Sequence, residues 1–244
     1  MIKRMLAGGV IAGFAAGLLA ALLHFAFVQE LILLGEQYES GALVHFEASG
    51  TAPATTGHDH AAGEAAGAHD HAVADAGAES AFQRNALTVL FTTLIYASYG
   101  ILLVAGFAIA EQFGRTVSPG EGVLWGLAGF AAFQLAPAMG LAPELPGAIA
   151  ADLGARQMWW LGTVVATGGG LALLGYGRTA LISALGGALL AAPHVIGAPH
   201  LDQFYGVAPP ELAAEFAARV LGVGFVAWAT LGWLAGRLWS KTPA

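Results

Sequence analysis

The stretch "HDHAAGEAAGAHDH", residues 58–71, holds four of the chain's eight histidines. His58 and His60 flank Asp59, His69 and His71 flank Asp70, and Glu64 lies between the pairs. In an extended chain, residues i and i+2 point the same way. Each pair then offers two imidazoles to one cation, with a carboxylate beside them. Neutral imidazole suits nickel, copper, zinc and iron, and by the same reasoning Co(II). Alanine and glycine spacers give such a strap no fixed geometry. It is expected to collect metal without selecting one by coordination. The plainer reading is a solvated linker that binds metal as any His-rich peptide does.

Other candidate ligands stand where apolar stretches end. His24 lies in "LLHFAFVQE", Glu30 six residues on, and His45 in "GALVHFE". His194, His200 and Asp202 lie in and after "AAPHVIGAPH", where Pro193 and Pro199 are expected to break the helix and free carbonyls. Broken helices are tolerated in membranes where they line a cavity. Glu144 stands between Pro143 and Pro146, and with Pro137 these prolines preclude one regular helix. Asp152 and Arg156, four apart, are expected to pair on one helical face. Trp159 and Trp160 fit an aromatic belt at the membrane interface.

These residues must be positioned by something largely apolar. The 244 residues have a mean hydropathy of +0.69, with 57% hydrophobic and 10% charged residues. Soluble domains carry roughly 25% charged residues, so the expected class is an all-α integral membrane protein, a single transmembrane domain over 1–244. A span needs roughly 20 apolar residues. Six stretches approach this: 5–28, 86–110, 122–141, 158–174, 179–196 and 216–239. The fourth and fifth are short and separated by "GYGR". A tight turn there keeps Arg178 out of mid-membrane, where a charge costs at least ~2.5 kcal/mol. The first stretch is too long for a signal h-region and lacks an A-x-A-like end, so an uncleaved helix is expected.

Basic residues set the orientation. With the N-terminus in the cytoplasm, Lys3, Arg4, Arg115, Arg178, Arg237 and Lys241 fall inside, and Arg84, Arg156 and Arg219 outside. Of the acids, Glu111 and Glu121 fall inside and the rest outside, giving an electronegative outer face that concentrates cations. The strap lies in the first outer loop. Its middle, 48–79, has almost no large apolar residue, so disorder is expected. The loop's beginning, "QELILLGEQYESGALVHFE", is expected to form a short interfacial helix. The spans are rich in Gly and Ala, which lets helices approach closely in lipid. "APELPGAIAADLGAR" and "APPELAAEFAAR" echo each other, suggesting repeated two-helix hairpins.

Several classes are excluded or disfavoured. Without cysteine there is no disulfide, thiolate zinc site, iron–sulfur cluster or thiol nucleophile. The net charge of −7 argues against a nucleic-acid partner. No GxxxxGK[ST], GxSxG or HExxH occurs, so neither an ATPase nor an enzyme is expected. "LAPELPG" with the following acid, "ARQMWW", "APHVIGAPH" and the His-rich first outer loop resemble the CbtA family of predicted cobalt transporter subunits. The resemblance covers essentially the whole chain. It implies a cobalamin-linked integral membrane protein of five spans, where the apolar stretches number six. It also implies a small, one-helix, histidine-bearing CbtB-like partner. It singles out cobalt, where the residues alone specify a transition metal, with nickel or zinc as alternatives. The expected function is cobalt uptake across the cytoplasmic membrane. The alternative is a metal-binding accessory or sensor that hands metal to another subunit. Few charges lie deep in any span, so a path is left with backbone carbonyls, Gln134 or histidines.

Overall fold

A computed structural model describes residues 2–45, 69–203 and 205–241, with side chains from residue 5 and, after the first loop, from residue 80. The described residues form helices without strands. In order these are α1 (Ile2–Phe27), α2 (Gln29–Glu39), α3 (His69–Gln112), α4 (Pro119–Phe130), a π-helical turn (Ala131–Leu135), α5 (Ala136–Ala138), α6 (Leu153–Tyr176), α7 (Ala180–Ile196) and α8 (Pro210–Ser240). Four segments are long and apolar enough to cross a membrane: Met5–Phe27, Ser80–Gln112, Leu153–Tyr176 and Pro210–Ser240. The α7 helix, Ala180–Ile196, is apolar but shorter. The continuous run through α4, the π turn and α5 covers residues 119–138.

Glycine decides which helices pair. A Cβ on Gly9 would lie 2.8 Å from the Gly100 carbonyl oxygen, one on Gly13 2.3 Å from that of Tyr96, and one on Gly17 2.6 Å from Thr93 Cα. Partner numbers fall as α1 numbers rise, so α1 and α3 run antiparallel with their backbones in contact. The α4–α8 seam is built the same way. A Cβ on Gly122 would meet the Gly232 oxygen at 2.3 Å, and one on Gly126 the Trp228 oxygen at 2.3 Å. Hydrophobic burial does not drive helices together inside lipid, so close packing of this kind carries the association. Helix α8 also packs on α1, burying Trp228, Leu231, Ala235 and Trp239 in the central cluster with Phe107 and Phe130. Helices α6 and α7 form their own hairpin through Gly170 and Gly186.

This pairing gives the bundle two ends. At one end the start of α1, the end of α3, the start of α4 and the end of α8 meet. There the Trp239 Nε1–H donates to Glu111 Oε1 at 2.6 Å. Arg115 lies over the Tyr176 ring, 5.5 Å from its centroid, which brings the α6–α7 turn to the same end. The opposite end carries α2, residues 139–152, 197–203 and 205–209. Leu145, Leu31, Leu212 and Phe216 bury together there. Pro146 lies against Gly35, and Gly147 turns with φ 79°. The "LPG" of the sequence therefore fastens the 139–152 loop onto α2.

Several expectations need correction. The α3 helix starts at His69, so residues 69–79 of the expected disordered segment have helical backbone. The extended-chain argument for His69 and His71 does not carry over to that backbone. Pro193 does not end its helix. It sits in the last turn of α7, which continues to Ile196 and stops at Gly197, φ 86°. Proline there sacrifices one backbone bond near an end where bonds are already few. The irregular element lies instead before Pro137. That proline has no N–H, and its ring opposes the carbonyl four residues back. The helix widens upstream, and the Ala136 N–H reaches the Ala131 oxygen, five residues back. The hairpin echo is not repeated in local structure: Glu144–Leu145 is loop, while Glu211–Leu212 opens α8.

Candidate functional site: two cavities and a shared waist

Two cavities enter the bundle from its two ends. The one at the loop end has a volume of about 440 Å³ and runs from Glu144 and Arg156 past Gln157 and Trp160 to Phe133 and Gln134. The one at the termini end has a volume of about 560 Å³ and runs from Arg115 and Glu121 past Trp125 and Tyr176 to Tyr99, Phe133 and Trp228. Phe133 lines both. The waist between them is aromatic: Phe133 stacks on Trp228 at 5.7 Å and 22°, Tyr99 packs on Trp228 at 4.5 Å, and Tyr96 borders both.

Gln134 sits on the π turn at this waist, beside the Tyr96 hydroxyl. Its amide oxygen abuts Gly224 so closely that a Cβ there would lie 2.0 Å away. That oxygen is buried and accepts no hydrogen bond. The Trp228 Nε1 on the neighbouring turn of α8 and the Thr167 Oγ1 on α6 are also buried without partners. Leaving a buried donor or acceptor unsatisfied costs about 1–3 kcal/mol. Such groups in a native structure point to a missing partner or a functional role.

The mouths carry the charges. Arg156 Nη2 donates to Glu144 Oε2 at 2.9 Å, twelve residues apart. The expected Asp152–Arg156 pair does not form, because Asp152 caps α6 and accepts from the Ala155 N–H at 2.9 Å. At a helix N-terminus an acid satisfies an otherwise unpaired amide. Nearby, Arg219 pairs with Glu215 and donates to the Phe27 carbonyl at 2.9 Å, closing the end of α1. At the termini end, Ser118 and Glu121 form a capping box. Bonds from the Ser118 backbone and side chain hold the Glu121 carboxyl below its usual range.

The remaining candidate ligands are dispersed along the loop end. His194 packs edge-on against Trp159, whose Nε1–H donates to the Pro193 carbonyl at 3.2 Å. The His200 Nδ1 lies 3.1 Å from the Leu201 carbonyl oxygen. His24 is half-buried against Phe25, and Glu30, His45 and Asp202 are exposed. His58 and His60 lie outside the described residues, and of His69 and His71 only the backbone is described. Among the described residues no three His, Asp or Glu side chains gather as a metal site. Sequence reasoning named Gln134 as a path residue but missed its seat on a π turn. Pro137 three residues later was the available signal.

Apolar helices of spanning length, packed through glycine, mark a helical membrane protein. The family model for probable cobalt transporter subunits, CbtA, matches residues 2–240, and the chain belongs to that family. No curated protein and no solved structure matches the chain.

Proposed function

We propose that this chain carries Co(II) inward across the cytoplasmic membrane along a path within its own helices. Six crossings account for the bundle, with α4, the π turn and α5 forming the third and α7 the fifth. The termini end faces the cytoplasm, as the basic residues there favour. The His-rich first loop and Glu144 then lie outside, where they gather the cation. Cobalt is the cargo, with nickel and zinc as competitors that His and oxygen ligands also accept. A small His-bearing CbtB-like subunit is the proposed partner.

The observation that carries this reading is the pair of cavities, one from each end, that share Phe133. Whole-cell accumulation of radiolabelled cobalt tests it. Cells with the intact chain should accumulate cobalt saturably. Deleting residues 50–68 should slow uptake at limiting cobalt and spare it at high cobalt. Loss of uptake at every concentration on that deletion would show that the strap is more than a collector. The dispersal of the outer ligands favours a second reading, an accessory that binds metal and passes it to another component. Binding without flux by the purified chain would decide for that reading.

A further inference from the structure

We propose that the termini-end cavity is a binding site for one anionic phospholipid, with an acyl chain inside it and the phosphate on Arg115. At about 560 Å³ the cavity has the size that holds a bound organic molecule, roughly 300–1,000 Å³. It separates α6 from α3 and α4. A Cβ on Gly168 or Gly175, both in its wall, would meet nothing within 4 Å. It also opens sideways. Leu102 and Leu124 line it and are 54% and 65% exposed. Leu102 stands about 15 Å along the helix from Gln112, the end of α3. At that depth an exposed side chain meets lipid.

The wall sorts by polarity along the cavity. Deep in it stand Leu103, Ala128, Gly129, Ala132 and Leu171. Water held in a cavity needs several polar partners, which these residues do not offer. A hydrocarbon chain needs none. The charges are at the mouth, on Arg115 and Glu121. Arg115 lies over the Tyr176 ring and forms no ion pair among the described residues. Glu121 is engaged elsewhere, since its Oε2 accepts from the Ser118 N–H at 2.7 Å. A free guanidinium beside spanning helices draws anionic head groups and matches the oxygens of a phosphate. A chain seated here also fills the inner half of the proposed path, so the lipid-bound form is the closed one. That consequence alone rests on the transport reading.

Native mass spectrometry of the purified full chain in detergent tests the site, with dioleoylphosphatidylglycerol and dioleoylphosphatidylcholine as probes. The expected result is one phosphatidylglycerol retained in preference to phosphatidylcholine. Arg115→Gln should weaken the phosphatidylglycerol midpoint about fivefold, the ratio that one basic residue near a membrane surface confers. Gly168→Leu places a side chain in the cavity and should abolish the adduct. Gly162→Leu is the control. It lies on the same helix, outside the cavity wall, and its Cβ also meets nothing within 4 Å. It should bind lipid as wild type does. Equal retention of the two lipids, or an adduct that Gly168→Leu leaves unchanged, overturns the assignment. So does a dimer that Gly168→Leu dissociates, which would seat a second copy in the cleft. If Gly168→Leu fails to fold, Arg115→Gln decides alone, and an unchanged midpoint overturns the site. Lipid binding as expected with no cobalt influx by any form supports the site and removes the transport reading.

Discussion

The α4–α8 seam offers a sharp test of what holds the bundle together. In Gly126→Ala, the new Cβ would lie 2.3 Å from the Trp228 oxygen, 3.0 Å from Gly232 Cα and 3.1 Å from Gly232 N. All three are backbone atoms, so no side chain can swing aside. Ordinary contact begins near 3.4 Å, so the helices must part by about 1.1 Å. A gap of that size forfeits a quarter to a half of the dispersion well for each atom pair across it. Overpacking typically costs about 1–3 kcal/mol. Ala is favoured over Gly in a helix by about 0.8–1 kcal/mol, which leaves a net loss of up to about 2 kcal/mol. Gly222→Ala is the control. It lies on α8 with nothing within 4 Å of its Cβ, and should stabilise by up to about 1 kcal/mol. Unfolding of the purified protein in mixed micelles, followed by tryptophan fluorescence, measures both. Equal stability changes in Gly126→Ala and Gly222→Ala, in either direction, would refute backbone contact as the source of association.

Three further outcomes follow from the mouths and the first loop. Glu144→Gln should raise the cobalt concentration for half-maximal uptake while changing stability by less than about 1 kcal/mol, because its pair with Arg156 is partly exposed; a stability loss of several kcal/mol would contradict this. Glu121 is held below its ordinary value near 4.5 by Ser118. A depressed carboxyl contributes stability above its unfolded value and loses it as pH falls through the folded one. Wild type should therefore weaken relative to Glu121→Gln as pH drops below 4.5, and parallel pH–melting curves would count against the capping box. Replacing His58, His60, His69 and His71 with Ala should lower uptake at limiting cobalt and leave the saturated rate unchanged, as read by radiolabelled cobalt.

The helices were legible because runs of apolar residues of spanning length admit few other structures in lipid. The break between α6 and α7 was legible from the charge on Arg178, which is costly anywhere but a turn. Arrangements that depend on a loop's path were not. Asp152 and Arg156 have pairing spacing, yet Asp152 is drawn to the open amides of its own helix start, and Glu144 reaches Arg156 because Leu145 anchors the loop on α2. Proline was read too simply. Pro193, near a helix end, costs little, whereas Pro137, inside a buried run, re-forms the turn before it. The seat of Gln134 against Gly224 joins two helices 90 residues apart in the chain, and local spacing carries no trace of it.

The central claim is that the path lies within this chain. Its most direct test is cobalt influx into proteoliposomes holding the purified chain alone, read by an enclosed cobalt-quenched dye. Saturable influx is the predicted result. Cobalt binding to the same liposomes with no influx would contradict it.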